Sequence, residues 1–174
     1  MNKKNIVLIG FAGCGKSTVG RNLAHLFDAE FIDSDEKIII MKNKSITEIF
    51  ELYGEEEFRK IETEAIEALS NKENAVISTG GGCVKNPENM RLLKKNGTVI
   101  YLSASPEKIF NNIASDNTRP LLKNKSAYEK LVKITKMLEE RVPLYEKYAD
   151  IVIDTNKISA LQAAYEIMQK MGEI

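Results

Sequence analysis

The chain has no tryptophan, one histidine, two cysteines and four prolines in 174 residues, and its formal charge sums to zero. Each shortage excludes something. Two thiols make no disulfide frame, so Cys14 and Cys83 read as reduced cysteines of a cytoplasmic protein. His25 reads as structural, because nothing near it makes it a base. Balanced charge offers no basic face to nucleic acid or to a membrane surface. No apolar run approaches the roughly 20 residues of a membrane span. The first apolar segment begins at Asn5, which leaves no room for a signal peptide. Arginine is scarce too. Of 25 basic residues, five are arginine: Arg21, Arg59, Arg91, Arg119 and Arg141. Lysine cannot replace a planar anion fork, so these five are the places to inspect for anion recognition.

What the chain does have begins at residue 10. Gly10-Phe-Ala-Gly13-Cys14-Gly15-Lys16-Ser17-Thr18 is a complete G-x-x-x-x-G-K-[ST] phosphate-binding loop, directly after the apolar run of residues 5–9. A strand, a glycine-rich turn and a helix N-terminus in that order place backbone N–H groups around a polyphosphate. Lys16 then serves the β- and γ-phosphates, and the Ser17 hydroxyl serves Mg²⁺. Cys14 reads first as a small loop filler.

Strand and helix signals alternate to the end of the chain. Strands are expected near 5–9, 30–33, 75–79, 98–102 and 149–153. Helices are expected near 16–27, 35–42, 45–53, 55–71, 87–95, 106–114, 127–147 and 159–171. The S-x-x-E of Ser45 to Glu48 reads as a capping box, Gly54 as a break, and Pro143 as an interruption or bend. Five short apolar strands separated by helices predict one domain over 1–174, a three-layer αβα sandwich on a parallel five-stranded sheet. Ligands belong at the carboxyl ends of its strands. Residues 116–126 are polar, lack apolar periodicity and read as a lid.

The remaining candidates fall at those ends. Asp33 closes the second strand, where an acid near Ser17 can complete a Mg²⁺ shell. Asp35 either serves the hydroxyls of an acceptor or, with Ser34, caps the next helix; a phosphate loop upstream favours the first. Arg59 and Glu62 are spaced to pair on one helix face. Gly80, Gly81 and Gly82 form either a tight turn or a place of close ligand approach.

In this order and spacing the pieces resemble the shikimate kinase family, a branch of the P-loop NTPase-like kinases. The resemblance is carried by the phosphate loop, Phe31-x-Asp33-x-Asp35, Gly54-Glu-x-x-Phe58-Arg59, the glycine triplet, Arg119-Pro-Leu-Leu and Arg141-x-Pro-Leu-Tyr145. It implies ATP-dependent phosphorylation of the 3-hydroxyl of shikimate by a monomer, with ATP and Mg²⁺ as cofactors. It implies a helical substrate-binding insertion near 34–61, with Phe50 and Phe58 as its apolar wall. Lys16, Asp35 and Arg119 become the catalytic residues, Arg119 as the lid arginine at the nucleotide. Residues 13–18 and Asn156 become nucleotide contacts. Phe58, Arg59, the glycine triplet and Arg141 join Asp35 at the acceptor, with Glu62 orienting Arg59. Ser17 and Asp33 hold the metal. One position departs: Asn112 stands where many members carry an arginine that packs on adenine.

Overall fold

The computed structural model describes residues 5–113 and 126–172. The lid expected at 116–126 therefore lies, apart from Ser126, outside the described residues, and Arg119 lies there with it.

Five parallel strands make one sheet: β1 (Asn5–Ile9), β2 (Glu30–Asp33), β3 (Ala75–Ser78), β4 (Gly97–Ser103) and β5 (Ile151–Asp154), in the order β2-β3-β1-β4-β5. The three central strands are apolar on both faces because both faces are covered. Ile6 and Leu8 of β1 point into one apolar layer, with α1 (Lys16–Phe27) and α7 (Ala160–Met171). Val7 and Ile9 point into the other, with the later part of α3 (Ile46–Ser70) and α4 (Pro87–Asn96). The edge strand β5 departs from that pattern: Val152 is 46% exposed. It also starts two residues later than expected, because α6 (Ala127–Tyr148) runs one residue further than expected, past Pro143, and Ala149 serves as its C-cap. Pro143 costs that helix a donor without ending it.

Gly54 has φ +78° and ψ 176°, a conformation that splits α3 into two helical stretches as expected. Both stretches and α2 (Ser34–Lys42) build a small satellite cluster, with Ile38, Ile49, Phe58, Ile61 and Ala65 buried. The Phe50 and Phe58 rings lie 4.5 Å apart within it. The Ser45–Glu48 capping box is present.

The chain leaves β1 towards β2 on one side and leaves β3 towards β4 on the other. The crevice at the carboxyl ends of β1 and β3 is thus the topological switch point. The phosphate loop follows β1 and the glycine triplet follows β3, so the fold brings these two segments together.

Candidate active site

The helix N-termini differ in one respect that matters. Asp33, Ser45, Asn86, Ser126 and Ser159 cap α2, α3, α4, α6 and α7 through their side chains. At α1 the N-cap is Gly15, with no side-chain cap bond and no acidic residue in the first turn. Its N–H groups and positive helix end are left for an anion. Gly13 and Gly15 have φ of +86° and +99°, so the loop curls in a way other residues resist. A Cβ on Gly13 would lie 2.5 Å from Ile113 Cγ2 of α5 (Pro106–Ile113).

Lys16 is 8% exposed, and its Nζ donates to the carbonyls of Gly10 and Phe11 at 2.8 and 2.9 Å. The lysine therefore closes its own loop while its charge stays at the loop mouth. Cys14 Sγ lies 3.8 Å from the same nitrogen and is buried, which fits the filler reading. Cys83 is also a free, buried thiol, and burial pushes its pKa well up. Asn112 Nδ2 donates to Gly13 O at 2.8 Å, so the departing residue grips the phosphate loop from α5.

Asp33 has two partners. Oδ1 accepts the Asp35 N–H at 2.9 Å, and Oδ2 accepts the Ser17 hydroxyl at 3.1 Å. This corrects the alternative in which Ser34 or Asp35 caps α2: the cap is Asp33, because it precedes the first helical residue in an extended conformation. Asp35 lines the open cleft with Lys16, Ser17, Thr18, Asp33 and Gly80. Asn156 does not line this cleft. It sits in a turn after β5, where its Oδ1 accepts the Ser105 N–H at 2.8 Å, ahead of α5.

Each glycine of the triplet makes room for a different group. A Cβ on Gly80 would fall 2.8 Å from Asp35 Oδ1 and 3.2 Å from Glu62 Oε1. On Gly81 it would fall 3.0 Å from Ala12 N of the phosphate loop, a backbone neighbour. On Gly82 it would fall 2.7–3.0 Å from the Arg59 guanidinium. The triplet makes a turn, with the Cys83 N–H donating to Gly80 O at 3.1 Å, and it admits protein groups at close range. The Gly80 N–H donates to buried Ser34 Oγ at 3.0 Å, and Gly81 O accepts from Arg141 Nη1 at 3.2 Å and Tyr145 Oη at 2.5 Å. The triplet is the hub between the loop, Asp35 and two arginines.

Arg59 Nη1 donates to Glu62 at 2.8 Å and Nη2 to Glu55 at 3.2 Å. Burial pulls the Arg59 pKa down, but Glu62 and Glu55 together outweigh it and raise it. Glu62 is 1% exposed, and burial lifts its carboxyl above the ordinary range against the opposing pull of Arg59. A buried carboxylate kept beside a half-buried arginine fixes the direction of the fork more than it stabilises the fold. Arg141 is 8% exposed, with its guanidinium 5.2 Å over the Phe11 ring. Asp33 approaches Ser17 as expected, whereas sequence spacing links neither Asn112 with Gly13 nor Tyr145 with Gly81.

The shikimate kinase family model matches residues 12–172. The shikimate kinase of Caldicellulosiruptor bescii is 46% identical over 165 residues, covering 95% of this chain and 94% of the relative. That of Caldicellulosiruptor saccharolyticus is 47% identical with the same coverage. The structure of Acinetobacter baumannii shikimate kinase in complex with shikimate superposes with a TM-score of 0.91 at 37% identity, over 98% of this chain and 94% of that one. A match of this length and depth, on a fold whose switch point holds the loop, the carboxylates and the arginines described above, means that the chain belongs to the shikimate kinase family.

Proposed function

We propose that the protein transfers the γ-phosphoryl group of ATP to the 3-hydroxyl of shikimate, giving shikimate 3-phosphate and ADP on the route to chorismate. The observation that carries this reading is the glycine triplet, which sets an acid and two arginines around the mouth of a phosphate loop. Shikimate is a small anionic polyol. A guanidinium fork suits its carboxylate, and a carboxylate suits its hydroxyls. Arg59 and Arg141 are assigned to the first, Asp35 to the second, with Phe58 as the apolar wall and Glu62 holding Arg59.

The loop N–H groups and Lys16 hold the polyphosphate and stabilise the charge that develops on the transferring group. Thr18 and the backbone of residues 13–15 complete that cradle. Asp35 accepts the hydrogen bond of the attacking hydroxyl and aims it at the γ-phosphorus; a loose transition state asks little more of a base. Arg119 and Asn156 are assigned to the nucleotide. Ser17 and Asp33 offer hard oxygen donors 3.1 Å apart, a set that suits Mg²⁺, which keeps water and phosphate oxygens in its shell. Bound there, the ion would neutralise charge on the β- and γ-phosphates. Among the described residues no three or more His, Cys, Asp or Glu form a cage that holds a metal without such help. The protein is taken to act as a cytoplasmic monomer, without nucleic acid or membrane; no described helix is long and apolar enough to cross a membrane.

The test is ADP release with ATP, Mg²⁺ and shikimate, with gluconate, or with no acceptor. ADP release that requires shikimate supports the reading. Equal release with gluconate, or release independent of acceptor, refutes it.

A further inference from the structure

Helix α6 contributes to both apolar layers. Its Ile134 and Leu138 are buried with α1 and α7, whereas Tyr145, two turns on, is buried in the opposite layer. The Tyr145 ring is 0% exposed and stacks on Tyr101 of β4, centroids 5.0 Å apart at 21°. Held in this way, Tyr145 touches no ligand space. Its hydroxyl ends on Gly81 O, the same oxygen that Arg141 Nη1 reaches from one turn earlier.

A carbonyl oxygen has two lone pairs, and these two donors fill them. They are unequal. The phenol bond is short, at 2.5 Å, and its ring is fixed in the core. Burial pushes the phenol pKa up against the pull of Arg141, so the group remains a donor at neutral pH. The arginine bond is longer, at 3.2 Å, and Arg141 Nε is buried with no partner. Arg141 is thus the group with capacity to turn, and Tyr145 the group that stays.

We propose that Tyr145 is a positioning residue: by keeping a permanent donor on Gly81 O, it frees Arg141 to leave that oxygen and take the carboxylate of the acceptor. The inference rests on the assignment of Arg141 to that carboxylate. Without the phenol, each departure of Arg141 leaves the half-buried Gly81 carbonyl without either protein donor, which is costly. Arg141 is then held back, and acceptor binding weakens while the phosphate loop is untouched.

The experiment is steady-state kinetics on Tyr145→Phe, Arg141→Lys and the double variant, each with a thermal melt. Tyr145→Phe is expected to raise the KM for shikimate roughly tenfold and to leave the KM for ATP within about twofold. In the Arg141→Lys background the same change is expected to add less than about twofold, because its target is gone. A folded Tyr145→Phe protein with an unchanged shikimate KM, an equal rise in both KM values, or full additivity in the double variant overturns the proposal. An Arg141→Lys protein with normal shikimate KM removes the underlying assignment instead, which separates the two failures. If Tyr145→Phe does not fold, 3-fluorotyrosine at position 145 keeps the shape and strengthens the donor. The shikimate KM should then fall below that of the unmodified protein, and a value at or above it overturns the proposal.

Discussion

The half of the proposed site assigned to phosphate takes nine consecutive residues, Gly10 to Thr18, and offers backbone N–H groups and a helix end without a side-chain cap. The half assigned to the acceptor draws side chains from α2, α3 and α6 and joins them through three glycines after β3. The first is local, and its chemistry is present as soon as the loop folds. The second exists once long-range packing has set Asp35, Arg59, Glu62 and Arg141 around Gly80, Gly81 and Gly82. Damage to the first half should therefore appear in the chemical step. Damage to the second should appear in acceptor binding, and in the shell of groups that hold those side chains in place.

The largest expected effect tests the local half. Lys16→Ala removes a charge at the loop mouth and leaves Gly10 O and Phe11 O without that donor. We expect kcat to fall by roughly 10³-fold, as for loss of a preorganised donor to a developing charge. Circular dichroism should show a folded protein. Near-normal turnover would mean that the loop amides suffice and that the halves are less distinct than described.

Arg59→Lys tests the assembled half. The charge stays, but the fork that reaches Glu62 and Glu55 together is lost. The KM for shikimate should rise on the order of 100-fold, with the KM for ATP within about twofold. A loss on the ATP side instead would place Arg59 with the nucleotide.

The contrast between the halves also explains what could be read in advance. The phosphate loop, the five strands, the break at Gly54 and the Ser45 cap each depend on neighbours within a few residues, and each was legible. The triplet was legible as a glycine run but not as a hub, because Asp35, Ala12, Arg59 and Arg141 reach it from distant segments. The double use of Asp33 was half legible: its approach to Ser17 across β2 and α1 was expected, whereas its cap role was expected of Ser34 or Asp35. At Pro143 the expected interruption does not occur: α6 continues through it, with Arg141 and Tyr145 buried on either side.

Glu62 gives a pH-dependent version of the comparison. Its folded pKa is raised, chiefly by burial, above the unfolded value. Between the two values the folded protein binds the extra proton, so stability falls as pH rises through that window. Function runs the opposite way, because the protonated acid pulls less on Arg59. Acidification should therefore raise the shikimate KM at a pH above the ordinary range of glutamate, roughly 4.3. Glu62→Gln should show a raised KM at all pH values, by about tenfold, and lose that pH step. A step that persists in Glu62→Gln would assign it to another acid.

The smallest effect expected is at the seam between the halves. Asn112, near the end of α5, donates to Gly13 O at 2.8 Å, and Gly13 itself packs against Ile113. The contact is exposed and holds one carbonyl at the apex of the phosphate loop. Its loss should cost about 1 kcal/mol, or roughly a fivefold change in an equilibrium constant. Asn112→Ala should therefore weaken ADP binding by roughly fivefold in calorimetry, leave the shikimate KM unchanged, and shift the melting temperature little. The loop N–H groups still point at the phosphates, so kcat should hold. If Asn112→Ala instead alters acceptor binding, α5 acts on the triplet as well as on the loop, and the phosphate half is not self-contained. If neither ligand responds, the nine-residue loop holds its shape without help from α5, and the local character of that half is stronger than the Asn112 contact suggests.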